Sequence, residues 1–135
     1  MKALNLIYLL IIASLIACSD RGTRLVFNEG ELFYTKSITE DEANKLGNYL
    51  VGAGFFDGNK KTVQLDVRND TLLFRMVTEE DKREDRQFEA FAYFFGAALS
   101  KSVFDGRAIE VHLCDEYLES ITIVKTAKMY LPEGE

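Results

Sequence analysis

Glu110, His112 and Cys114 alternate with Ile109, Val111 and Leu113 in one short segment. Read as a strand, that segment turns its aliphatic residues to one face and its reactive groups to the other. A second segment alternates in the same way, with Val63, Leu65 and Val67 set against Gln64, Asp66 and Arg68. Adding Arg75 from the strand that follows, one polar sheet face is expected to carry Gln64, Asp66, Arg75, Glu110 and His112. It is the place where groups with ligand or proton chemistry converge.

Two chemistries suit that set. Side chains on alternate strand residues start about 6 to 7 Å apart, so Glu110, His112 and Cys114 with Asp66 would offer four metal donors. Zinc motifs, however, pair their Cys and His at close spacing, and this chain has a single histidine. No metal and no cofactor is therefore expected. Thiol catalysis would need Cys114 and His112 to meet from one strand, a poor geometry for a nucleophile and its base. There is no Gly-x-Ser-x-Gly elbow, and Ser100 and Ser102 fall on a predicted helix. Gly52-x-Gly54 closes a helix instead of opening one, so it is no phosphate loop. No catalytic residue is assigned; a metal- or thiol-dependent enzyme working around His112 is kept as the alternative to a non-catalytic binding module.

The first eighteen residues supply an address. Lys2 precedes an apolar run from Ala3 to Ile16, shorter than the roughly 20 residues a membrane-spanning helix needs. The run ends Leu15-Ile16-Ala17-Cys18, which resembles the lipobox of bacterial lipoproteins. Ordinary signal-peptidase cleavage after Ala17 fits less well, because Leu15 is bulky where a small residue is required. The resemblance implies a signal peptide over 1–17 and a mature N-terminus at Cys18. That cysteine would carry diacylglycerol and an N-linked acyl chain such as palmitate. Residues 18–23 then form a tether, and the membrane is the expected partner through the lipid at Cys18. By the same resemblance, Ser19 after the cysteine favours the outer membrane of the cell envelope where one is present, with an envelope protein as a second partner.

Removing residues 1–17 leaves 118 residues, one domain's worth, with 15 basic and 22 acidic side chains. That acidic balance argues against nucleic acid and against adsorption on anionic headgroups. Lipidation of Cys18 would leave Cys114 alone, so the fold must stand without an internal disulfide.

One α+β domain is expected over 24–131. Strands are read at Leu25–Phe27 and Leu32–Thr35 around Asn28-Glu29-Gly30. Thr39-x-x-Glu42 is a capping box for a helix carrying Ala43, Leu46 and Leu50. Strands follow at 62–68 and 72–77 across an Asn69-Asp70 turn, then a solvated charged run Glu79–Arg86. A second, aromatic helix over about 87–102 is expected to bury Phe88, Phe91, Phe95 and Leu99. Tyr93 and Phe94 widen its apolar arc, covered by the tail Met129–Leu131 or left as a contact surface. Strands at 109–114 and 120–125 complete the domain.

Phe56-Asp57-Gly58 recurs as Phe104-Asp105-Gly106, and Val63-x-Leu65 as Val111-x-Leu113, at one offset of 48 residues. The repeat reads as a duplicated helix-strand-strand unit in which the Asp-Gly pairs serve as turns. The layer pattern predicts a two-layer sandwich, mostly antiparallel, with both helices on one face and a ferredoxin-like strand order plus extra strands. The segments Leu32-Phe33-Tyr34-Thr35, Gly54-Phe55-Phe56-Asp57-Gly58 and Val111-His112-Leu113-Cys114-Asp115 also resemble a family of uncharacterised small domains of membrane-tethered bacterial proteins. That resemblance carries no activity with it.

Overall fold

A computed structural model describes residues 21–126; the lipobox, Cys18 and the tail Met129–Leu131 lie outside them. Six strands run β1 (Thr23–Phe27), β2 (Gly30–Tyr34), β3 (Thr62–Arg68), β4 (Thr71–Val77), β5 (Ile109–Cys114) and β6 (Ser120–Lys125). Helix α1 (Glu40–Gly52) lies between β2 and β3, and α2 (Arg86–Val103) between β4 and β5.

The strands stand in the sheet in chain order, β1-β2-β3-β4-β5-β6. Pairing is antiparallel inside each hairpin (β1/β2, β3/β4, β5/β6) and parallel at the two seams, β2/β3 and β4/β5. The sheet is therefore mixed, and the ferredoxin-like order expected above is not the order found. Each helix lands the chain on the position next to the strand it left, so no slot remains for a later strand to enter. Apolar alternation identifies strands and their faces, but it holds no record of which strands are neighbours.

Local sequence explains the elements. Thr39 Oγ1 accepts from the Glu42 N–H while Glu42 accepts from the Thr39 N–H, closing the expected capping box of α1. Asp85 caps α2 by accepting from the N–H groups of Gln87 and Phe88. The hairpin pairs Asn28-Glu29 and Asn69-Asp70 have positive φ at both residues, as a two-residue turn matched to the strand twist requires. In the two Asp-Gly turns, Gly58 and Gly106 sit at φ 90° and 82°.

The core forms a single layer between the helices and one sheet face. Leu65, Phe74 and Val111 stand side by side across three strands, and Ala43, Leu46, Leu50, Ala92, Leu99 and Val103 descend on that face from the helices. Phe56 and Phe104, the repeated aromatics, both plug this layer. The sequence places Gly30 in the first turn, but it begins β2. A Cβ there would lie 2.2 Å from the Phe56 ring, and one at Gly47 would lie 2.2 Å from the Phe27 ring.

These close approaches set the first expectation. Gly47→Ala should lower stability by about 1 to 3 kcal/mol, because the Phe27 ring must move. Gly52→Ala, whose Cβ would meet nothing within 4 Å, should be neutral or stabilise by up to about 1 kcal/mol. Urea unfolding midpoints check both, and equal effects of the two substitutions would contradict the packing described.

Candidate functional site

The sheet face away from the helices carries the expected polar residues on adjoining strands. Gln64, Arg75 and His112 pair across β3, β4 and β5, continuing to Phe33 on one side and Ile123 on the other. Asp66 and Glu110 lie in the neighbouring row, separated by Leu73.

These residues form two linked groups. In the first, Arg75 Nη1 donates to Gln64 Oε1 at 2.9 Å and sits 3.4 Å from Asp66 Oδ2. Gln64 Nε2 donates in turn to the Arg21 carbonyl at 3.0 Å. Asp66 Oδ1 accepts from Thr35 Oγ1 at 2.6 Å and from the Val67 N–H at 2.8 Å. Burial pushes the Asp66 carboxyl pKa up, but these donors and the Arg75 guanidinium outweigh it and hold the group below the usual carboxylate range.

The second group centres on His112, only 2% exposed. Its Nε2 lies 2.9 Å from Glu110 Oε2 and its Nδ1 2.6 Å from Ser120 Oγ. Burial lowers the imidazole pKa, and the Arg75 and Arg68 charges act in the same direction, against the pull of Glu110. Ser120 was read as the start of a strand with no further role. Its place beside His112 depends on the irregular register at Leu113/Cys114, which pairs Cys114 with Ser120 and which no spacing rule would supply.

Cys114 is buried and its thiol donates to the His112 carbonyl oxygen at 3.4 Å. Burial pushes the thiol pKa up, against the opposing effect of its contact with Ser120 Oγ, and so favours the protonated, unreactive thiol. Among the described residues no three carboxylate, imidazole or thiol groups gather in a way that could hold a metal ion. Nor is any buried side-chain polar atom there left without a partner. The polar face is thus a network of mutually bonded side chains among the described residues.

A larger feature opens at one end of the sheet. A cleft of about 1280 Å³ runs between the C-terminal end of α1 and the N-terminal half of α2. Its wall is an aromatic ladder that starts in the core. Phe74 meets Phe95 at 5.6 Å between ring centroids, Phe95 stacks on Phe55 and Phe91 at 5.3 and 5.6 Å, and Phe91 meets Phe88 at 5.5 Å.

Phe91 was expected to be buried, yet it is 47% exposed. It stands at the mouth of the cleft, where no strand lies above it. Lys61 Nζ sits 5.2 Å from the Phe55 ring centroid and Lys82 Nζ 6.0 Å from that of Phe88. Lys60, Arg83 and Arg21 complete a cationic rim, with Glu31, Glu79, Asp115 and Glu116 among the other lining residues. The charged run Glu79–Arg86, read as plain solvated loop, thus lends two cations to the rim. Tyr93 and Phe94 are exposed on the same helix, Phe94 at 70%.

The architecture defines a class of small α+β domain, three hairpins joined by two helices over a mixed sheet. Residues 24–126 match the model of the AF_1994_N family, described as a family N-terminal domain, and the chain belongs to that uncharacterised family. Comparison with curated proteins and with solved structures finds no match.

The buried imidazole gives a pH signature. In the unfolded chain His112 titrates near 6.5, and in the fold lower. Between those values the unfolded state binds a proton that the folded state does not, so stability should fall as pH drops through 6.5. Urea midpoints across that range should show the fall, and His112→Gln should flatten the slope. An unchanged slope in the variant would contradict the assignment.

Proposed function

We propose that the protein is a lipid-anchored protein of the cell envelope, held by Cys18, and that its domain is a binding module. In this reading the aromatic cleft receives a small amphipathic anion. The observation that carries it is Phe91, a large ring exposed on a ladder of phenylalanines continuous with the core and ringed by cations. Exposed aromatic surface in a concave site is where an apolar body gains most from leaving water. Five cations stand against four acids on the lining, with Lys60, Lys61 and Lys82 paired to Glu31, Asp57 and Glu79, in a chain whose net charge is −6. The local charge therefore favours an anionic head over a cationic one.

The anchor supports the same assignment. Arg21 lies on the cleft lining, only three residues after Cys18, and its guanidinium donates to the Glu116 carbonyl oxygen at 3.2 Å. Three extended residues span about 10 Å, so lipid on Cys18 would hold the cleft close to a membrane surface and its amphiphiles. Among the described residues no helix is long and apolar enough to cross a membrane, so in this reading attachment falls to the acyl chains.

We infer also that the domain grew by duplication. The two Phe-Asp-Gly turns each leave a helix and enter the first strand of a hairpin, and Val63, Leu65, Val111 and Leu113 are all fully buried.

Two measurements test the function. Metabolic labelling with a fatty-acid probe should mark the protein and be lost in Cys18→Ala; labelling that persists removes the anchor. Titration of the mature chain with 1-anilinonaphthalene-8-sulfonate, an aromatic sulfonate, should give one saturable site. Phe91→Ser should weaken it about tenfold, the loss expected from removing one stacked ring, and Lys61→Glu should weaken it too. Equal affinity in all three proteins would remove the cleft as the site.

A further inference from the structure

His112 is held by two partners of unequal chemistry. A carboxylate can only accept, so with Glu110 Oε2 as acceptor the ring carries its proton on Nε2 and donates it across the 2.9 Å contact. Nδ1 is then a bare lone pair, and the hydrogen bond at 2.6 Å must come from the Ser120 hydroxyl. A hydroxyl gives its proton toward a neutral imidazole, and the imidazole gives its own toward a carboxylate. This is the logic by which a serine is made nucleophilic. The two ring nitrogens are exchanged relative to the Ser-His-Asp hydrolases, and a neutral imidazole accepts equally well in either tautomer.

The surroundings favour the same chemistry. The ring is 2% exposed and fixed on both nitrogens, so it does not need to be ordered before it acts. Ser120 itself is exposed, at the irregular start of β6. On the same strand Ile121 and Ile123 are 53% and 49% exposed, and Ile123 pairs directly with His112. The serine thus stands at an exposed position next to apolar surface that could receive an acyl chain.

We propose that Ser120, with His112 as base and Glu110 as the group that orients it, is a nucleophilic site for carboxylic esters of short acyl chains. Attack forms the bond from Ser120 Oγ to the acyl carbon while the hydroxyl proton passes to His112 Nδ1. The ester C–O bond then breaks, and the leaving alcohol takes that proton. Water, deprotonated by the same nitrogen, releases the acid and restores the serine. Cys114 takes no part, since its thiol is buried and bonded to the His112 carbonyl. The site lies on the sheet face away from the helices, and none of Glu110, His112 and Ser120 lines the aromatic cleft.

The test is covalent labelling of the full chain with an alkyl fluorophosphonate, read by peptide mass spectrometry. One adduct is expected, on Ser120, absent in Ser120→Ala. Glu110→Gln should slow labelling, and His112→Gln should slow it about 100-fold, the scale of a lost general base. The rate should rise with pH as His112 loses its proton and then level, with burial the largest influence on the midpoint and Glu110, Arg75 and Arg68 the charged groups that act on it. Hydrolysis of p-nitrophenyl butyrate should follow the same order. Because His112→Gln could unfold a buried position, Glu110→Gln, at a half-buried residue, keeps the test independent of folding. Phe91→Ser should leave labelling unchanged. No adduct above the Ser120→Ala background, or a rate indifferent to Glu110→Gln, overturns the proposal.

Discussion

Each helix must carry the chain from the second strand of one hairpin to the first strand of the next and set it down parallel and adjacent. That constraint governs most of what the molecule does. Parallel neighbours need a crossover over one face of the sheet. Because both crossovers use the same face, that face is apolar and fully covered, and the other is free to be polar. The gap between the C-terminal end of α1 and the N-terminal half of α2 becomes the cleft. Site and scaffold thus share one cause.

Close approach in the covered layer follows from the same geometry. Phe27 and Phe56 press on backbone at Gly47 and Gly30, where no side chain would fit. Gly96 serves α2 likewise, its missing Cβ leaving room for Val111 and Thr126. Interiors packed to this density transmit displacement. The ladder from Phe74 to Phe91 is therefore rigid where it begins and exposed where it ends, a pre-formed surface whose ordering cost was met in folding.

Much of this was legible in the sequence. The capping box at Thr39, the strands 62–68, 109–114 and 120–125 and the sharing of a face by Gln64, Asp66, Glu110 and His112 follow from short-range patterns, which act within a few residues. Strand order was not legible, because alternation fixes faces and leaves neighbours open. Phe91 escaped for a related reason. Its helical spacing matches Phe88 and Phe95, and only the position of α1 shows that the stripe runs past the edge of the core. Lys61 and Lys82 are far apart in the chain, so their shared rim is a tertiary fact. Ser120 required the register irregularity between β5 and β6, a one-residue detail that decides which side chain meets His112.

Function turns on which surface of the domain meets other molecules. A photoreactive benzophenone amino acid placed at Phe91, and separately at Ile123, would report directly in cells carrying the full-length protein. Binding in the cleft predicts light-dependent adducts of small mass from position 91, retained in the membrane fraction, whether or not position 123 also captures a transient ester. Adducts from position 123 with none from position 91 would contradict it and move recognition to the polar sheet face.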